Sequence, residues 1–177
     1  MLERTKLIND LIQKNGYKSY LEIGTGGGIN FKEVDCEHKI GVDPNNPATF
    51  QQTSDDFFAA NQETFDIIFI DGLHVAEQVE KDMANSLKIL KKGGVIVVHD
   101  CLPEIEERQR PVRITKNWQG DVWKAVVSMA RKHRKMKLLE IETGIVLLWP
   151  GKKTYVIPEG ELTWDWFVKN FKSMLCG

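Results

Sequence analysis

The 177-residue chain predicts an α/β fold, a Rossmann-like doubly wound sheet that is mostly parallel with a terminal antiparallel strand and has helices on both faces. Three observations predict it. Short, unbroken apolar runs close at Ile23, Val42, Ile70 and Val98, as strands buried on both faces do. Segments between them carry apolar residues at helical spacing, as in Val75, Val79, Met83, Leu87 and Leu90. The first run enters the turn Gly24-Thr25-Gly26-Gly27-Gly28, where missing side chains let a strand reverse into a helix and leave the backbone open to a ligand.

Each element follows in order. Leu2, Leu7, Ile8, Leu11 and Ile12 make residues 1–15 an amphipathic helix. Residues 19–23 form the first strand, 30–34 a short helix and 39–42 the second strand, completing a βαβ start. Asp43-Pro44-Asn45-Asn46-Pro47 is a turn, followed by a short strand or helix up to Asn61. Residues 65–70 form a central strand and 75–90 a helix that Lys91-Lys92-Gly93-Gly94 closes as a cationic C-terminal turn, and 95–98 form the next strand. The polar run from Pro103 to Asn117 reads as a lid or acceptor loop over about 102–118. Residues 121–134 return to helix, its basic end at Arg131–Lys135 solvated, and 137–141 and 145–149 pair as an antiparallel hairpin across Glu142-Thr143-Gly144. Trp164, Phe167, Val168, Phe171 and Leu175 place one apolar face on a terminal helix over about 163–175, for packing in the core or against a second copy in a homodimer.

Composition narrows the function. At this length one domain over 1–177 buries a core without disulfides or metal staples. A net charge of -1 gives no electrostatic footprint for nucleic acid. No apolar run reaches the roughly 18 residues of a membrane span, and Cys36, Cys101 and Cys176 form no close metal-ligand pair. A reducing cytoplasm and a small-molecule partner are expected, with neither nucleic acid nor membrane.

In a doubly wound sheet, ligands bind beyond the carboxyl ends of the strands, and those ends are repeatedly acidic. Glu22 precedes the glycine turn, Asp43 closes the second strand, Asp71 the third, and His99 and Asp100 the fourth. Clustered carboxylates repel one another and call for a cation or a hydroxyl-rich ligand. Asp43 stands 19 positions after Gly24, where an acid accepts both ribose hydroxyls of an adenosine. The glycines depart from the dinucleotide fingerprint, because Ile29 and Asn30 follow Gly28. Glu22 would repel a pyrophosphate but suits a cofactor carrying an ammonium and a sulfonium.

Glu22-x-Gly24-x-Gly26-x-Gly28 resembles the first motif of the class I S-adenosylmethionine-dependent methyltransferases. The run from Phe65 through Asp71-Gly72-Leu73-His74, with Lys92-Gly93-Gly94-Val95-Ile96-Val97-Val98-His99-Asp100, resembles the small-molecule O-methyltransferases. It is similar to the macrocin O-methyltransferase relatives and, more distantly, to the catechol and caffeoyl-CoA types. The resemblance spans about residues 18–101. It implies a cofactor site at Glu22, Gly24, Thr25, Gly26, Gly28, Asp43, Asp55 and Asp71, with Asp55 at an adenine contact. It implies a divalent cation, Mg²⁺, on Asp71 and Asp100, and His74 as general base beside Asp71. The third cation ligand departs from both groups: Cys101 follows Asp100 where catechol-type enzymes have asparagine, and His99 precedes it where macrocin-type relatives have an acid. The activity implied is methyl transfer to a hydroxyl of a small acceptor such as a sugar or secondary metabolite. Three alternatives stand beside it: a dinucleotide-dependent oxidoreductase, which shares Asp43 and the turn, a catalytically inert S-adenosylmethionine-binding module, and a metal-dependent enzyme of the same fold that is not a methyltransferase.

Overall fold

A computed structural model describes residues 1–176. It forms a six-stranded sheet in the order β2-β1-β3-β4-β6-β5, with β1 Ser19–Ile23, β2 His38–Val42, β3 Phe65–Ile70, β4 Leu90–Val98, β5 Arg134–Leu139 and β6 Ile145–Lys152. Strands β1 to β4 are mutually parallel, and β6 runs antiparallel to both β4 and β5. The helices are α1 Glu3–Asn15, α2 Ile29–Glu33, α3 Ser54–Ala60, α4 Ala76–Ile89, α5 Val122–Arg131 and α6 Trp164–Cys176.

Alternation along the strands divides the core in two. Leu21, Ile23, Ile68, Ile70, Ile96 and Val98 face a layer containing Val79 and Met83 of α4 and the apolar faces of α5 and α6. Tyr20, Ile67, Phe69, Val95 and Val97 face Ile8 and Ile12 of α1. Trp123 of α5 is fully buried and packs against Trp166, Phe167 and Phe171, so α6 belongs to the core. Its buried face holds Phe167, Phe171 and Leu175 as the pattern indicates, but Val168 points outward and Trp166 and Met174 take part instead.

Two boundaries differ from the sequence reading. Lys91 to Gly94 do not close α4. That helix ends at Ile89 and the chain passes directly into β4, where Leu90 pairs with Phe65 and Val95 with Ile67 across an irregular register. The reason is a tertiary contact, since Lys91 Nζ reaches Asp66 at 3.2 Å and Ser19 Oγ at 2.7 Å instead of a helix terminus. The basic run after α5 likewise divides, with Arg134 and Lys135 in the edge strand β5. Between β2 and β3 the segment resolves into α3, preceded by a single parallel bridge from Phe50 to Val42.

Strand β1 lies between β2 and β3, so the chain reverses its direction of travel across the sheet there, and the carboxyl ends of β1 and β3 form the switch-point crevice. The ladder continues past the strand ends, through Gly24 N–H to Val42 O at 2.8 Å and Asp71 N–H to Ile23 O at 2.8 Å. These bonds fix the two loops that carry the site.

Candidate active site

A cavity of about 640 Å³ opens at this crevice, lined by Gly24, Gly26, Asp43, Asn45, Asp55, Asp71 and their neighbours. Gly24 has φ +86°, and a Cβ there would come within 2.5 Å of Gly72 Cα, so only glycine lets the turn lie against the β3 loop. Asp43 holds the two sides of the cavity together. One carboxylate oxygen accepts from the backbone N–H of Asn45 and Asn46 at 2.9 and 2.8 Å, the other from Gly26 N–H at 3.0 Å. Although burial opposes ionisation, these donors lower its pKa and keep it a carboxylate. The oxygen facing Gly26 has lone-pair capacity left for a further donor.

Of the eight cofactor positions expected, Gly24, Gly26, Asp43, Asp55 and Asp71 line the cavity, whereas Glu22, Thr25 and Gly28 do not. Thr25 braces the turn by donating to Pro47 O at 3.2 Å, and Gly28 donates its N–H to Thr25 O at 2.8 Å. Glu22 is 1% exposed and lies beneath the turn, accepting from Tyr20 Oη and from Asn30 Nδ2. Burial raises its pKa to about 7 against the help of those two donors.

Beside the cavity, Asp71, His74 and Asp100 converge so that one ligand atom from each lies within 4.8 Å of the others. His74 Nε2 is 3.3 Å from Asp71 Oδ1 and 3.4 Å from Asp100 Oδ2. Its Nδ1 is 3.0 Å from Trp118 O; a carbonyl only accepts, so Nδ1 carries a proton and Nε2 is the nitrogen facing the carboxylates. The Trp118 ring stacks on the imidazole at 5.2 Å. Behind it, Asp121 donates its N–H to His74 O and accepts Ala76 N–H at 2.7 Å, so it caps α4 as well as preceding α5. Asp100 has φ +58°, a strained conformation for a side-chain-bearing residue. Thr143 donates its hydroxyl to the Asp100 carboxylate.

His99, a hydrogen-bonded residue at the end of β4, completes the cluster. Its Nδ1 lies 3.2 Å from Asp71 Oδ1 and its Nε2 3.0 Å from Glu142 Oε2, and Glu142 is in turn paired with Arg4 of α1. Both ring nitrogens face carboxylates, and against the opposing effect of burial Asp71, Asp100 and Glu142 raise the His99 pKa to about 11. It is therefore an imidazolium. Its charge and the hydrogen bonds from both histidines hold Asp71 well below the usual carboxylate range despite burial. The His99 contact brings Glu142 down to about 2, with Arg4 assisting. For His74, burial is outweighed by Asp71, Asp100 and the Trp118 carbonyl, and its pKa is raised.

Residues 30–101 match the family model of a methyltransferase domain. No curated protein matches the chain. Among solved structures, the domain is similar to an O-methyltransferase from Bacillus cereus in complex with S-adenosylhomocysteine (TM-score 0.59, 18% identity, 82% of this chain and 79% of that one). It is also similar to the S-adenosylmethionine-bound O-methyltransferase TomG from Streptomyces achromogenes, involved in tomaymycin synthesis (TM-score 0.60, 16% identity, 82% and 78%). A third is an S-adenosylhomocysteine-bound methyltransferase from Podospora anserina (TM-score 0.62, 14% identity, 84% and 78%). At these identities the likeness establishes the fold alone.

Proposed function

We propose that the protein is an S-adenosylmethionine-dependent methyltransferase that transfers the methyl group to a hydroxyl of a small acceptor such as a sugar or a secondary metabolite. The observation that carries this reading is one continuous crevice. Asp43, Asp55, the Gly24 turn and Asp71 line one cavity, and His74 and Asp100 lie beside Asp71. The acceptor oxygen attacks the methyl carbon in line, forming the new C–O bond as the C–S bond breaks, and its proton passes to a base. His74 Nε2 faces the two carboxylates of the site, and in the neutral imidazole, with Nδ1 holding the proton against Trp118 O, it is the nitrogen that receives the acceptor's proton. Trp118 and Asp121 keep the ring in place while it does so.

Asp71, His74 and Asp100 also fit a divalent cation, since each offers one donor at mutual reach. Two carboxylates suit hard Mg²⁺, while the imidazole shifts the preference towards Mn²⁺ or another first-row ion. Such a cation would lower the pKa of an acceptor hydroxyl and relieve His74 of part of that task. Among the described residues, the thiols of Cys36 and Cys101 are free. No helix among the described residues is long and apolar enough to cross a membrane.

The test is transfer of label from methyl-labelled S-adenosylmethionine to a panel of sugars, phenols and other hydroxylated metabolites, with thiols and amines beside them. An acceptor that is labelled by the protein and loses about 10²-fold or more in rate with His74→Ala supports the reading. Labelling confined to thiol or amine acceptors would overturn the hydroxyl assignment.

A further inference from the structure

Within the set Asp71, His74 and Asp100, only Asp100 has a positive φ, +58° at the end of β4. A side-chain-bearing residue keeps such a conformation only where its surroundings over-determine it. Here they are the turn Glu142-Thr143-Gly144 between β5 and β6. The turn pins the chain just past Asp100, because Cys101 N–H donates to Gly144 O at 3.1 Å and Leu102 N–H to Thr143 O at 2.7 Å. Gly144, at φ +85°, lies so close that a Cβ there would come within 2.5 Å of Leu102 Cγ. Glycine thus lets the turn sit flush against the Asp100 loop.

The same turn takes hold of the Asp100 side chain. Thr143 donates its hydroxyl to Asp100 Oδ1, and the direction follows because a carboxylate only accepts. The other oxygen, Oδ2, is left 3.4 Å from His74 Nε2. The β-branch of threonine restricts χ1, so the hydroxyl is aimed rather than free to swing. The turn is itself fixed from α1. Glu142, at φ +50°, accepts the backbone N–H of Arg4 at 3.1 Å and pairs with the Arg4 guanidinium. Thr143 has no place on the cavity wall, so cofactor binding does not call for its hydroxyl.

We propose that Thr143 is a positioning residue for the cation site, its hydroxyl taking Asp100 Oδ1 so that Oδ2 stays turned towards His74. The inference rests on the cation reading of Asp71, His74 and Asp100, and the experiment separates the two. Mn²⁺ and, in parallel, S-adenosylhomocysteine are titrated calorimetrically into the wild type, Thr143→Val and Thr143→Ser. Valine keeps the branched shape and removes the hydroxyl, whereas serine keeps the hydroxyl. Thr143→Val is expected to lose about tenfold or more in Mn²⁺ affinity, the usual effect of removing the outer partner of a metal ligand. Thr143→Ser is expected to restore most of that affinity, and all three proteins are expected to bind S-adenosylhomocysteine alike. Mn²⁺ affinity unchanged in Thr143→Val, an equal loss in both variants, or a parallel loss of S-adenosylhomocysteine affinity overturns the proposal and leaves the cation reading intact. A wild type that takes up no Mn²⁺ overturns both. Thr143 is half-buried and valine matches its shape, so Thr143→Val is expected to fold; Thr143→Ala is the second variant, with the same loss expected.

Discussion

Replacing Glu22 by glutamine isolates the cost of an acid placed under the glycine turn. Glu22 is 1% exposed, and its carboxyl pKa is raised from 4.5 to about 7 because burial penalises the charge more than Tyr20 and Asn30 stabilise it. The folded protein thus retains a proton that the unfolded chain releases between those two values. This contribution to stability is fully present below pH 4.5, falls as pH rises, and is lost above about pH 7. At about 1.4 kcal/mol for each pH unit the difference amounts to roughly 3 kcal/mol. Glu22→Gln carries no such proton and keeps a carbonyl that can accept from Tyr20 and Asn30. Urea unfolding of both proteins across the range from about pH 4 to about pH 8 measures the effect, because other titrating groups cancel in the difference. The variant is expected to gain about 3 kcal/mol on the wild type over that range. A difference independent of pH, or one that moves in favour of the wild type as pH rises, refutes the reasoning.

Gly24→Ala should destabilise the fold by about 1–3 kcal/mol through overpacking against Gly72 and abolish measurable S-adenosylhomocysteine binding, as calorimetry on the folded variant would show. Trp123→Ala, which empties the centre of the α5–α6 contact, should cost about 3–5 kcal/mol in chemical denaturation. Mn²⁺ titrated into the wild type should give a binding heat that Asp100→Asn removes, whereas a wild type without such heat would exclude the Asp71, His74 and Asp100 set as a cation site.

The sheet was legible because its strands are buried on both faces, and burial writes itself as unbroken apolar runs. β1 and β3 fall where those runs stand. Lys91 to Gly94 misled because a cationic cluster with glycines is a good local signal for a helix end, and the contact from Lys91 to Asp66 that extends β4 is not local. The cavity wall was legible at Gly24, Asp43 and Asp71, where an acid or glycine closes a strand. Glu22 carries the same signal yet faces α2, since its neighbours Leu21 and Ile23 occupy the opposite face of β1 and the strand alternates. Glu142 and Arg4 had no signal at all. Glu142 reaches His99, and Arg4 reaches Glu142, only because the β5–β6 connection and the start of α1 meet over the end of β4. Trp118 and Thr143 likewise owe their places to loop packing that no periodicity records.

Whether the crevice at the ends of β1 and β3 holds S-adenosylmethionine, as proposed, is decided by titration with S-adenosylhomocysteine and NAD in parallel. The expected result is heat of binding for S-adenosylhomocysteine in the wild type, a weaker interaction in Asp43→Ala, and none for NAD. Binding of NAD, or no binding of S-adenosylhomocysteine to the folded protein, would contradict it.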